Sequence, residues 1–252
     1  MKLVTFNIRG DFGVDGANDF CHRKPLILAK LRAEKPDVIG FQEVLPHVAD
    51  WLAEALPEYC VLGCGREETL GGEQAAVAFR KDSCRLIEMR TFWLSLTPMK
   101  PGSRYAEQSW CPRTATELVL MERATGKVFR VVNTHLDHEG SLARRLGLGQ
   151  ILRHIDAAEL FPDAPVALMG DFNAPPDSEE LAAFHDHPGY VSAGSGVGTT
   201  FHDFMRMPDG PQIDYIFLRG FGPVRACGKW TEASGSVYLS DHYPVCVEAE
   251  LS

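Results

Sequence analysis

Val166-Ala167-Leu168-Met169-Gly170-Asp171-Phe172-Asn173 is a short apolar run that ends in a carboxylate and an amide. Four apolar residues followed by glycine are too few for a helix and predict a buried strand. Side chains alternate along a strand, so Asp171 and Asn173 fall on one side and Phe172 on the other. The same plan recurs outward in both directions. Leu3 to Ile8 carries Thr5-Phe6-Asn7, Val38 to Phe41 leads to Gln42-Glu43, and Val128 to Asn133 leads into Thr134-His135. Ile213 to Leu218 holds Asp214 at its start, and Val245 to Ala249 follows Ser240-Asp241-His242. Residues this far apart meet only if the whole chain folds about one cleft.

Ala75 to Phe79 and Thr116 to Met121 complete the predicted strands. Apolar spacings of three and four predict helices over Arg23 to Glu34, Val48 to Leu56, Ser141 to Glu159 and Ser178 to Phe184, the first two stopped by Pro36 and Pro57. Strands interleaved with helices imply an α/β layer structure. No Ser/Gly linker, charge block or repeat divides the chain, so residues 1–252 are expected to form a single domain. The Gly/Pro-rich stretches at Gly10 to Asp19, Gly63 to Glu73, Thr97 to Ser109 and Gly189 to Gly198 are expected as loops around the cleft mouth.

Composition narrows the partners. The 25 basic and 34 acidic residues leave a net charge of -9, so no overall positive field gathers nucleic acid nonspecifically. The seven cysteines include no C-x-x-C pair and read as reduced thiols. No apolar run is long enough to cross a bilayer, and no basic or cleavable segment precedes the first strand. A soluble, cytoplasmic protein with no membrane association and no obligate protein partner is expected.

The polar clusters suit divalent-metal phosphoester chemistry. Mg²⁺ takes hard oxygen ligands and needs only one or two protein carboxylates besides the substrate phosphate. Glu43 is the first candidate ligand, and Asn7 leaves the first strand positioned to complete the sphere or hold a water. Asp171 suits the deprotonation of an attacking water and Asn173 donation to phosphoryl oxygens, although an isolated D-x-N is more often an Asx turn. A protonated imidazole neutralises charge growing on phosphorus when a carboxylate fixes it. His135 and His242 are the candidates, with Asp214 orienting His242 and Glu73 expected to orient His135. His22, His47, His154, His185, His187 and His202 are taken as ordinary surface or core residues.

In order along the chain, F-N-I-R, Q-E, N-T-H-L, G-D-F-N, I-D-Y-I and S-D-H-x-P-V resemble the motif series of the endonuclease/exonuclease/phosphatase superfamily, the DNase I-like fold. The resemblance runs from Asn7 to His242. It implies a four-layer sandwich of two packed mixed β-sheets flanked by helices, and attack of water on phosphorus assisted by Mg²⁺ or Mn²⁺. Carried over by motif, Glu43 becomes the main metal ligand, Asn7 and Asp241 supporting ligands, Asp171 the base, Asn173 a transition-state donor, and His242 with Asp214 the phosphate-polarising pair. His135 and Arg113 are implied to contact phosphate. Arg9 stands where repair endonucleases typically carry an acidic residue, which argues against abasic-site repair. The closer similarity is to compact bacterial members near the deadenylase-like branch.

Phe201, Trp110 and Tyr105 are candidates for stacking a base or sugar, and His138 for lining the pocket. The leading expectation is a phosphodiesterase acting on a nucleotide or short single-stranded nucleic acid. A phosphomonoesterase on a small phosphorylated metabolite is the alternative, and a catalytically silent binding module the answer from another class. Against the last, every position of the catalytic set holds a competent residue.

Overall fold

The computed structural model describes residues 1–252, apart from the side chain of His185. Its first sheet contains β1 (Lys2–Asn7), β2 (Val38–Val44), β3 (Tyr59–Leu62), β4 (Gln74–Arg80), β11 (Val224–Lys229) and β14 (Val245–Ala249), in the order β11-β14-β1-β2-β4-β3. The second contains β5 (Cys84–Trp93), β6 (Thr114–Glu122), β7 (Val128–His135), β8 (Val166–Asp171), β9 (Val191–Ser192) and β10 (Asp214–Arg219), in the order β5-β6-β7-β8-β10-β9. Each is mixed. One parallel pair, β1 with β2 or β7 with β8, sits at its centre among antiparallel neighbours. A two-stranded ribbon, β12 (Ala233–Ser234) with β13 (Val237–Tyr238), precedes β14.

Strand alternation builds the layers. Leu3, Val38, Val77, Leu118, Val131, Met169, Ile216 and Val247 form the seam between the sheets. Their sequence neighbours face outward. Val4, Phe6, Ile39 and Phe41 meet Ile27 and Leu31 of α1 (Phe20–Glu34) and Val48 and Leu52 of α2 (Pro46–Ala55). Val132, Leu168, Tyr215 and Phe217 meet Leu148, Ile151 and Leu152 of α3 (Ser141–Asp156). Helix, sheet, sheet and helix give the expected four-layer sandwich.

Three expectations need correction. Ser178 to Phe184 forms no α-helix; only a 3₁₀ turn at Leu181–His185 lies there. Tyr105 is a core residue packed with Phe92 and Leu148, its hydroxyl donating to Gln150 Oε1 at 2.8 Å, and is not a stacking surface. The strands β3, β5, β9 and β11 were not legible, and all four are sheet edges. Among the described residues, no helix is long and apolar enough to cross a membrane.

Candidate active site

Inward phase carries the polar residues to one end of the seam. Along β1, Leu3 and Thr5 precede Asn7; along β7, Val131 and Asn133 precede His135; along β8, Ala167 and Met169 precede Asp171. The registers pair Asn7 with Gln42, His135 with Asp171, and Asp214 with Asp171. Gly170 makes the β7–β8 end possible: its φ is 152°, and a Cβ there would lie 2.0 Å from the Thr134 carbonyl oxygen.

Glu43 breaks the alternation. A register shift between Phe41 and Val44, with φ 60° at Glu43, turns its side chain toward the cavity although Gln42 already faces the seam. Bulges beside functional sites commonly re-aim a side chain in this way.

These groups line a cavity of about 890 Å³ shared by Arg9, Glu43, His135, Asp171, Asp241 and His242. Asn173, Arg113, His138, Phe201, Glu73 and Trp110 line it too. Asn7 ties the floor together. Its Nδ2 donates to Glu43 Oε1 at 3.0 Å and Asp171 Oδ2 at 3.1 Å, while its Oδ1 accepts from the Arg9 N–H at 3.0 Å. The amide therefore faces the carboxylates as a donor, where an oxygen ligand was expected. Asp171 Oδ1 accepts from the Asn173 N–H at 2.9 Å, so the Asx turn and the cavity position coexist. Asn173 Nδ2 donates to the Leu136 carbonyl at 3.1 Å.

The two histidines are electrostatically opposite. Burial disfavours the His242 imidazolium, but Asp214, hydrogen-bonded to Nδ1 at 2.8 Å, and the charges of Asp171 and Asp241 outweigh it and raise its pKa to about 10. Burial and the charges of Arg113, Arg66 and His242 push His135 well below the usual imidazole range. His135 is thus neutral, where a protonated ring was expected; its Nε2 lies 3.5 Å from Asp171 Oδ2 and its buried Nδ1 has no partner. Glu73 does not orient it. Both Glu73 oxygens accept from Arg66, at 2.7 and 2.8 Å.

The carboxylates also divide. Burial raises Glu43, but donation from Asn7 and Gly10 and the charges of His242 and Arg9 bring it below its ordinary value. Burial, with Asp214 nearby, pushes Asp171 up to about 7. Asp241 is raised by burial and by the charge of Glu43, partly offset by His242 and Arg9. The donor set suits a hard divalent cation: Glu43 and Asp241 offer carboxylate oxygens whose mutual repulsion, added to burial, raises Asp241. Asp171, Asp214 and His242 also bring ligand atoms within 4.8 Å of one another. Asp214 engages Nδ1 of His242 and raises its pKa, which suits that trio to holding protons.

Four arginines shape the field, and only Arg113 was singled out for phosphate. Its side chain is buried, Nη2 donates to His138 Nδ1 at 3.0 Å, Nε lies 3.8 Å from Asp137 Oδ1, and neither Nε nor Nη1 has a hydrogen-bond partner. Arg9 lies 3.7 Å from Asp241 and pairs with Asp15. Arg23, fully buried without a carboxylate partner, donates to the carbonyls of Ile8, Arg9, Asn18 and Leu239 and holds the exit of β1 to the segment before Asp241. Arg66 and Arg23 carried no sequence signal, because their partners are set by loop folding. Phe201 packs its ring 4.9 Å from that of His242.

The family model of the Endonuclease/Exonuclease/phosphatase family matches residues 4–242, and the chain belongs to that family. A solved endonuclease/exonuclease/phosphatase from Bacteroides vulgatus is 34% identical over 100% of this chain and 98% of its own, with TM-score 0.93. A mannosyl-6-phosphatase from Bacteroides thetaiotaomicron is 27% identical over 99% of both chains, with TM-score 0.88. The catalytic domain of human Nocturnin, solved with bound sulfate, shares the fold at 21% identity and TM-score 0.76, over 100% of this chain and 93% of that one. No curated protein matches the chain.

Proposed function

We propose that this protein is a Mg²⁺- or Mn²⁺-dependent hydrolase of phosphomonoesters of small metabolites, phosphorylated sugars first among them. The observation that carries this reading is Arg113: a buried guanidinium on the wall of the cavity whose Nε and Nη1 have no hydrogen-bond partner, Nε coming only within 3.8 Å of Asp137 Oδ1, beside a neutral His135 whose Nδ1 also has no hydrogen-bond partner. Unmet buried donors are costly, and a phosphoryl group with three terminal oxygens answers more of them than a diester with two. The likeness to the mannosyl-6-phosphatase supports the same choice.

Glu43 and Asp241 would hold the metal, which when bound would supply Lewis-acid polarisation of the phosphoryl oxygen. Asp171, raised toward neutrality and oriented by Asn7 and the Asn173 N–H, takes the proton of the attacking water. His242, kept charged by Asp214, neutralises the negative charge that builds on phosphorus, and Asn173 and Arg113 donate to the same oxygens. The Phe201 ring limits the tilt of His242.

A phosphodiesterase for a nucleotide or short single strand is the second reading, favoured by the indole of Trp110, 75% exposed at the cavity, since exposed aromatics stack bases. The contributions of both sheets to one site support reading residues 1–252 as a single domain, and seven unpaired cysteines support a reducing, cytoplasmic location.

Hydrolysis of p-nitrophenyl phosphate, bis-p-nitrophenyl phosphate and a short oligoadenylate, with Mg²⁺, Mn²⁺ or EDTA, tests the reading. Metal-dependent turnover that is greatest on the monoester, and at least about 100-fold lower in Asp171→Asn, is expected. Preference for either diester selects the second reading, and near-normal rates in Asp171→Asn overturn the assigned base.

A further inference from the structure

Residues 203 to 205 form a left-handed turn. Asp203, Phe204 and Met205 have φ of 44°, 50° and 69° in succession, a conformation that L-residues adopt singly and at a cost, and rarely in a row. The surroundings hold it in place. The N–H groups of His202 and Asp203 donate to the Asp241 carbonyl at 2.9 and 3.1 Å, Met205 N–H donates to His202 Nδ1 at 3.2 Å, and the buried His202 ring stacks on Tyr243 at 4.0 Å. Strain kept in this way beside a site is often part of how the site is built. Here it places Asp203 on the cavity wall with Phe201, Pro211 and Ile213, hung from the backbone of the proposed metal ligand Asp241.

The Asp203 carboxylate has no work to do in phosphate binding. It bears the same sign as the phosphate, and its ion pair is with Arg206, 3.2 Å away and largely solvated. Facing the rest of the substrate, an ionised carboxylate only accepts hydrogen bonds, and its two oxygens match a pair of neighbouring hydroxyls. The same charge repels a leaving group carrying a further phosphate. Trp110, on another loop of the same cavity, offers an exposed apolar face, and sites that orient a ligand commonly combine such a face with a few placed polar groups.

Resting on the phosphomonoesterase reading, we infer that Asp203 is the specificity-determining residue of the site: it selects a leaving group that is an uncharged, polyhydroxylated ring, a glycosyl unit, and excludes anionic ones. Asp203→Asn and Asp203→Gly test this, because both residues accept positive φ and so remove the charge without adding strain. The readout is kcat/KM for glucose 6-phosphate, glucose 1,6-bisphosphate, phosphocholine and p-nitrophenyl phosphate. The ratio of glucose 6-phosphate to p-nitrophenyl phosphate is expected to fall by about 10-fold or more in Asp203→Gly, and the bisphosphate is expected to gain relative to the monophosphate in both variants. A common loss on all substrates indicates a merely structural turn and overturns the inference, as do unchanged ratios or a wild-type preference for phosphocholine. Wild-type enzyme that hydrolyses no monoester overturns the phosphomonoesterase reading, and this inference with it.

Discussion

Asn133 lies at the base of the site, fully buried between the sheets. Its Oδ1 accepts from Gln42 Nε2 at 2.7 Å, and its Nδ2 donates to the carbonyls of Phe41 and Ala76, both at 2.8 Å. One side chain of β7 is thereby bonded to two strands of the opposite sheet, beneath Glu43 and two residues before His135. Gly40 leaves it room: a Cβ there would sit 2.7 Å from Asn133 Oδ1. Replacing Asn133 with Ala removes three hydrogen bonds worth roughly 1 kcal/mol each and leaves two carbonyls without their side-chain donor. With a residual gap in the seam, the expected loss is about 3 to 4 kcal/mol. At roughly 2 to 4 °C per kcal/mol for a domain of this size, Tm falls by about 10 °C. Asn133→Asp is expected to be worse than Ala at neutral pH, since it sets a buried charge against two carbonyl oxygens. Thermal unfolding by circular dichroism of all three proteins measures both effects. An Ala variant melting within about 2 °C of wild type, or an Asp variant more stable than Ala, would refute the inter-sheet bridge.

Calorimetry with and without Mg²⁺ should show Tm rising on addition of metal to wild type, because binding to the native state alone stabilises it, and little rise in Glu43→Ala; an equal rise in both would remove Glu43 from the metal site. Away from the cavity, Glu117 accepts from Arg130 and lies 2.8 Å from His154 Nε2. Burial raises this carboxyl, but His154 and Arg130 outweigh it, so its folded pKa lies below the ordinary 4.5. The stability it contributes is therefore full above about pH 4.5 and is lost as pH falls through the folded pKa. Glu117→Gln should cost about 3 kcal/mol at pH 7, where Arg130 is left buried without its counter-charge, and the gap to wild type should close on acidification; a gap that widens toward low pH contradicts the assignment.

The eight strands legible in the sequence are the eight interior strands of the two six-stranded sheets, and the four strands of those sheets that escaped are their edges. Interior strands bury both faces and read as apolar runs. An edge such as β5, with Arg85, Glu88 and Arg90 exposed or half-buried between its apolar residues, carries the charges that edge strands use against mispairing, and those charges hide it.

The site divides in the same way. Asn7, His135, Asp171 and Asp214 sit at the ends of interior strands, and period-two alternation converts their sequence positions directly into a shared face. Local sequence therefore determined that these groups converge, and the order of the motifs determined the family. Tertiary structure alone decided how they behave. The bulge turns Glu43 inward, Arg66 takes Glu73 away from His135, burial and the field of Arg113 leave His135 neutral, and Asp214 charges His242. A left-handed turn aims Asp203 into the cavity. Each depends on charges and loops brought close from distant parts of the chain, and electrostatic energy follows distance through space and burial, neither of which a one-dimensional pattern contains.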